Sequence, residues 1–270
     1  MSDDILKKVI DETEKTGFPL ELKVADVLEN RGFYVAHSLY YVDEEENKSR
    51  EVDIRALKNY IVEDSNQGNP LKMVRYCLLI ECKKSENKPW VFLSSKRRSY
   101  DADFYNVPYL PNRDFMQMED YDKVELVHPF SEYSVMGKSY FEAFKNNETS
   151  EMIFKALTTT VKATLYTMKK EFGTSNQDIC FYYPIIVFDG RLFEGTLNNG
   201  SFDMKEVDSV LVSFLYESSI YKEGHFAVPV IKESALNSFL DKLDKSLNTH
   251  GEIAKLRKSV AFPKKEVIII

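Results

Sequence analysis

The chain has 270 residues and a mass of 31.4 kDa, with 43% hydrophobic and 29% charged residues and a formal net charge of −7. This is the balance of an ordinary globular protein long enough to bury a core, and 10 glycines and 9 prolines are too few for a fibrous or linker-rich chain. The acidic balance argues against a coat protein that holds nucleic acid by overall charge, while a local basic site on an acidic body remains compatible with it.

No apolar run approaches the ~18 residues of a transmembrane helix. Met1–Ile5 shows no basic segment followed by an apolar one, so no signal peptide is expected and the expected location is cytoplasmic. Cys77, Cys82 and Cys180 have no CxxC spacing, which points to reduced core residues rather than a disulfide framework or a zinc site. With no repeat at solenoid periods and no linker, residues 1–270 are expected to form a single domain.

Residues 3–15 are predicted helical, with Ile5, Val9 and Ile10 on one stripe. A second helix is predicted over 19–31. Pro19 suits its first position, Gly32 suits the left-handed residue beyond its end, and Leu20, Val24, Val27 and Leu28 are its apolar positions. The hydrophobic period then changes to 2. Phe33–Val42 is rich in β-formers, Asp43–Asn47 reads as a solvated acidic turn, and Glu51–Leu57 alternates charged and apolar residues. Val74–Lys83 carries the run Cys77–Ile80, which suits a strand buried on both faces, and Asn66–Pro70 is the turn before it.

Residues 94–147 show little sustained period, hold Pro108, Pro111 and Pro129, and are dense in aromatics; an insertion or lid within the domain is expected there. A long helix is predicted near 150–172 through Ile153, Leu157, Val161, Leu165, Met168 and Phe172. Cys180–Phe188 is a predicted strand, Asp189-Gly190 a hairpin turn into Leu192–Leu197, and Asn198–Gly200 another turn. Val207–Tyr216 and Phe226–Ile231 are further strands, 234–247 is helical, and Glu266–Ile270 is strand-like.

The residues that suggest chemistry lie between 21 and 83. Alternate residues of a strand share a face, so Glu81 and Lys83 point one way and Ile80 and Cys82 the other; Glu51 and Asp53 likewise share a face opposite Val52 and Ile54. An apolar strand that ends on a carboxylate and an ammonium side by side is unusual, because such charges are costly to bury unless paired or bound to a metal. If neighbouring strands bring Asp53 and Glu81 together, a hard divalent cation gains two carboxylates, and a main-chain carbonyl and waters could complete its shell. A metal ion of this kind lowers the pKa of a bound water and stabilises charge at phosphorus, and a lysine beside it can position that water or contact the scissile phosphate. Glu21, on the second helix, could join the group or could be a first-turn glutamate favoured by the helix dipole. The alternative for Asp53, Glu81 and Lys83 is a surface ion-pair ladder across two strands.

Glu51-Val-Asp53 followed by Leu78-Leu-Ile-Glu81-Cys-Lys83 resembles the PD-(D/E)xK, or restriction-endonuclease-like, nuclease superfamily, and Leu20–Leu28 resembles its first core helix. The resemblance covers roughly residues 18–92. It departs from the family pattern at Val52, where the proline stands, and no Gln-x-Lys extension follows Lys83. It implies an α/β fold with a restriction-endonuclease-like core, a mixed β-sheet flanked by helices in αβββαβ order, with insertions. It implies a Mg²⁺-dependent (or Mn²⁺-dependent) DNA endonuclease with a role in restriction or defence. Asp53 and Glu81 would bind the metal with the main-chain carbonyl of Cys82. Lys83 would be the catalytic lysine, Glu21 an accessory acid and Glu51 a further accessory carboxylate.

Lys84, Lys88, Lys96, Arg97 and Arg98 form a basic window that could follow a DNA backbone, and Lys255–Lys265 form a second. Trp90 could stack on a base, but is more often a core residue. His37, His128, His225 and His250 are isolated, without the HExxH of a zinc protease, and GxxxxGK[ST], GxGxxG and GxSxG are absent. DNA is the expected partner. A nuclease that cuts both strands often acts as a homodimer, though no interface is legible. Two other classes stay open: a non-catalytic nucleic-acid- or protein-binding module on the same fold, and an enzyme of another class in which the charged ladder is structural.

Overall fold

The chain runs α1 (Ser2–Glu14), α2 (Phe18–Asn30), β1 (Tyr34–Asp43), β2 (Lys48–Ile61), β3 (Met73–Lys96), β4 (Val135–Glu142), α3 (Glu151–Glu171), β5 (Asp178–Asn198), β6 (Ser201–Glu206), β7 (Ser209–Tyr216), β8 (Gly224–Lys232), a 3-10 turn (Glu233–Ala235) and α4 (Leu236–Leu256). The computed structural model describes residues 2–61, 73–96, 130, 133–144, 151–171, 178–220 and 224–256. The helical expectations for α1, α2, α3 and α4 are met within a few residues, except that α4 runs on to Leu256. Gly32 takes the left-handed conformation, φ +78°, just past α2. Asn199 and Gly200, at φ +50° and +83°, make the expected turn between β5 and β6.

β3 and β5 dominate the molecule. They lie parallel and pair from Met73 with Asp178 to Ser94 with Thr196. Each is three to four times the ~5–6 residues typical of a strand. In their first halves both faces are buried: Leu78 and Ile80 pack with α2 and α4, while Cys77 and Leu79 pack with Ala163 of α3. In their second halves the two strands recruit β4, β7 and β8. The hydrogen-bonded order β3–β4–β7–β8–β5 returns to β3, and β1–β2 and β6 extend from β3 and β5 respectively.

This overturns the expected open sheet flanked by helices in αβββαβ order. The protein is mixed α/β, with strand the larger share of the described residues at 52% against 35% helix, and it closes five strands into a β-barrel. The physical reason lies where the sequence ended two strands too soon. Polar Lys83–Glu86 and the pair Asp189-Gly190 look like strand ends, yet both strands pass through them into the barrel. The expected hairpin at Asp189-Gly190 is absent because Gly190 serves close approach rather than a turn. A Cβ there would lie 2.6 Å from Ser85 O and 2.6 Å from the Phe188 ring. Opposite it β3 bulges: Ser85 pairs with Gly190 and Trp90 with Leu192, so residues 86–89 face a single β5 residue.

Of the expected insertion over 94–147, Ser94–Lys96 belong to β3, and Val135–Glu142 is the barrel strand β4. Gly137, which packs against Phe92, interrupts the alternation that would have revealed it. Residues 97–129 lie outside the described residues, as do Asn66–Pro70 and Glu266–Ile270. Among the described residues no helix is long and apolar enough to cross a membrane.

Gly190→Ala is expected to destabilise the fold by about 2 kcal/mol, a fall in Tm of roughly 4–8 °C, because either Ser85 or Phe188 must give way. Thermal unfolding measures it; an unchanged Tm would mean that β3 and β5 do not approach so closely at the bulge.

Candidate functional site

Along β3, β5 takes one edge. The other edge is shared in turn by β2, over Met73–Ile80, and by β4, over Trp90–Lys96. Among the described residues, 81–89 therefore form a notch with no strand on that side. Asp53 stands where β2 departs. Its Oδ2 accepts the Cys82 N–H at 2.7 Å, so a side chain takes over from the ladder at the first step of the notch.

β2 also inverts at that point. Ile54 and Ala56 face the core under α2 and α4, whereas Val52 faces the core under α3. Residues two apart on a regular strand share a face, so the expected grouping of Val52 with Ile54 fails here. The partner strand inverts with it: β1 pairs His37 with Ile54 and Leu39 with Val52, and Ser38 between them has φ +51°. A non-glycine residue in that region is uncommon, and it places the distortion in β1 directly opposite Asp53.

The inversion and the notch bring the expected residues together. Lys83 Nζ lies 2.5 Å from Glu81 Oε1, 3.1 Å from the Cys82 carbonyl oxygen and 3.8 Å from Asp53 Oδ2. Glu81 is 6% exposed. Its second oxygen, Oε2, is buried without a hydrogen-bond partner. Burial pushes the Glu81 carboxyl up to about 7; Lys83 opposes the shift and Asp53 adds to it. Burial alone would lower Lys83, but the Glu81 and Asp53 carboxylates outweigh it and hold the ammonium above its ordinary value. Lys83 is thus a fixed cation rather than a base.

Glu21 reaches the same group from the first turn of α2. Its carboxyl is raised by burial and by Asp53, against the pull of Lys83, and Glu51 and His37 also act on it. Sequence reasoning set His37 aside as isolated; its pairing with Ile54, on the α2 side of β1, is what brings it near Glu21. Glu51 is exposed beside this group. The proposed DNA contacts are less uniform. Lys84 Nζ donates to the Glu14 carbonyl at the end of α1, 3.1 Å away, and lies 3.3 Å from Glu86. Lys88 is exposed on the β3 bulge, and its carbonyl accepts the Ser85 hydroxyl at 3.0 Å. The Lys96 side chain, Arg97, Arg98 and residues 257–265 lie outside the described residues. Trp90 is buried and stacks on Phe188 with centroids 4.1 Å apart, a core residue unable to meet a base. His250 is buried too, on a 2.6 Å contact with Tyr76, and burial lowers it to about 3.

The acidic turn is not solvated as expected. Asp43 is 4% exposed and, with Glu45, meets Lys162 of α3 at 2.8 and 2.5 Å. Lys169 takes Glu44 at 2.7 Å. The signal was two lysines on one face of a helix more than a hundred residues away, which no local pattern connects to the turn. The three cysteines are free and buried.

Among the described residues no group of three or more His, Cys, Asp or Glu side chains is placed to hold a metal ion. Two carboxylates and a carbonyl nevertheless converge at Lys83 Nζ, and the unpartnered Glu81 Oε2 beside them is a donor in search of a cation. That set fits Mg²⁺, which keeps several waters and needs only one or two carboxylates. Compared with protein-family models, with curated proteins and with solved structures, the chain matches none.

Because the folded pKa of Glu81 lies above its ordinary 4.5, its protonated form favours folding below pH 4.5, and that contribution is lost as pH rises through about 7. Glu81→Gln is therefore expected to unfold at higher temperature than the wild type at pH 8 without divalent cations, by on the order of 3 kcal/mol, and to match it near pH 4.5. An equal Tm difference at both pH values would contradict this environment for Glu81.

Proposed function

We propose that this protein is a Mg²⁺-dependent nuclease that hydrolyses phosphodiester bonds, with DNA as substrate. The observation that carries the reading is the convergence of Asp53 Oδ2, Glu81 Oε1 and the Cys82 carbonyl on one point of an unpaired strand edge, with Lys83 held there as a cation. In this reading Asp53, Glu81 and the Cys82 carbonyl hold the metal ion. When bound, it would supply Lewis-acid activation of water and charge neutralisation at phosphorus.

The remaining steps belong to the chain's own groups. Lys83, kept protonated by its two carboxylates, neutralises and orients the scissile phosphate. Glu21, whose carboxyl is raised and which is half-buried, is placed to exchange a proton with water. Lys88 stands on the bulge that borders the notch, where it can track the backbone of a bound strand. One observation favours the non-catalytic reading: the Lys83 ammonium already lies against both carboxylates, so each has a cation beside it without a metal ion.

Plasmid cleavage separates the two. With Mg²⁺ or Mn²⁺ the wild type is expected to nick or linearise DNA, and EDTA is expected to abolish it. Asp53→Ala and Lys83→Ala are expected to lose roughly 100-fold or more in rate while remaining folded. A folded wild type that binds DNA yet cleaves nothing with either metal would leave the binding module as the better reading.

A further inference from the structure

Beyond Ile54, β2 has left β3 and, among the described residues, pairs with β1 alone, so Leu39–Asp43 and Lys48–Asp53 form a two-stranded arm. Its base bears one of the presumed metal-binding carboxylates, and the hydrogen bond from Cys82 to Asp53 ties that base to β3. Its tip is tied elsewhere. Lys162 of α3, its side chain 8% exposed, meets Asp43 Oδ2 and Glu45 Oε2. Tyr216, at the end of β7, donates its hydroxyl to Glu45 Oε2 at 2.5 Å and sets its ring 5.9 Å from the ammonium. Between tip and base lies Tyr41, buried on the α3 side and within electrostatic reach of Asp43, Lys162 and Glu81.

We propose that Lys162 is a positioning residue that clamps the arm tip to α3 and so fixes the separation of Asp53 from Glu81. The inference rests on the nuclease reading only for its effect on metal binding and rate. The clamp joins three elements: the β1–β2 turn, α3 and the end of β7. A buried ion cluster contributes little net stability compared with an apolar replacement, but it holds its members in one geometry, and removing one partner leaves the others uncompensated. Here the arm is a lever pivoting at Ser38 and Asp53, and a displacement at the tip is felt at the Asp53 carboxylate. Lys169, exposed and paired with Glu44, adds a second tie outside the cluster.

The test is native-state hydrogen exchange on the full chain, read at the Cys82 amide and at the barrel amides of Val210 and Val230, with Mn²⁺ binding and cleavage kinetics beside it. In Lys162→Met the Cys82 amide is expected to exchange at least tenfold faster while Val210 and Val230 stay within twofold. Mn²⁺ affinity is expected to fall about tenfold and kcat to fall more than KM rises. Lys162→Arg, which can still pair with both carboxylates, is expected to restore Cys82 protection. Should Lys162→Met not fold, Tyr216→Phe removes only the hydroxyl bond to Glu45 and is expected to speed Cys82 exchange two- to threefold. Unchanged Cys82 exchange in a folded variant, or equal acceleration of the barrel amides, would overturn the clamp. If the wild type neither binds Mn²⁺ nor cleaves, the nuclease reading fails by itself, and the exchange result still decides the clamp.

Discussion

A strand edge that loses its neighbour must satisfy its N–H and C=O groups by other means. β3 meets this constraint at residues 81–89, after β2 has left and before β4 arrives. The Asp53 carboxylate takes the Cys82 N–H, and Lys83 takes the Cys82 carbonyl. Both solutions bring charge to the strand edge, so satisfying the backbone and assembling the site are the same event. The far end of the notch is closed by neutral groups, with Ala143 N–H on the Pro89 carbonyl at 2.9 Å. The charged groups Asp53, Glu81 and Lys83 therefore gather at the end where β2 departs.

The barrel explains why the notch exists at all. β2 belongs to the layer packed between α3 on one side and α2 with α4 on the other, while β4 belongs to the barrel. β3 is continuous between the two parts, but its neighbours on that edge are not. The twist that closes a barrel turns the strand away from the direction β2 follows, and the four-residue bulge at 86–89 absorbs the mismatch against β5. Gly190 is the steric condition for that bulge, since any side chain would strike the β3 backbone.

Much of the site was legible because its residues sit at a change of chemistry within one strand: four apolar residues, then Glu81 and Lys83. The helix α2 was legible from Pro19 and Gly32, which have conformational reasons to stand where they do. What escaped detection depends on contacts across the chain. The lengths of β3 and β5 were hidden because polar residues in their middles serve the notch and the bulge rather than ending a strand. The inversion at Asp53 was hidden because Ser38, unlike a glycine, gives no warning of a positive φ. The clamp on Asp43 and Glu45 was hidden because its lysine lies on α3.

The charge balance at the notch links these features. Glu81, Asp53 and Glu21 approach one another, and Lys83 offsets them at close range. Burial and the neighbouring carboxylates favour the protonated form of Glu81, whose carboxyl is raised to about 7. On the proposed reading, protons and a divalent cation would compete for one carboxylate, and the arm would bias the contest through the position of Asp53. Bringing Asp53 closer sharpens the repulsion that raises Glu81 and at the same time improves the pair of ligands a cation would need. A rigid arm therefore keeps the site in a strained, charge-dense state that a flexible arm would relax by swinging Asp53 away. On the proposed reading, the stiffness of the β1–β2 turn, with its acids gripped by α3, would belong to the function as much as the residues at the notch.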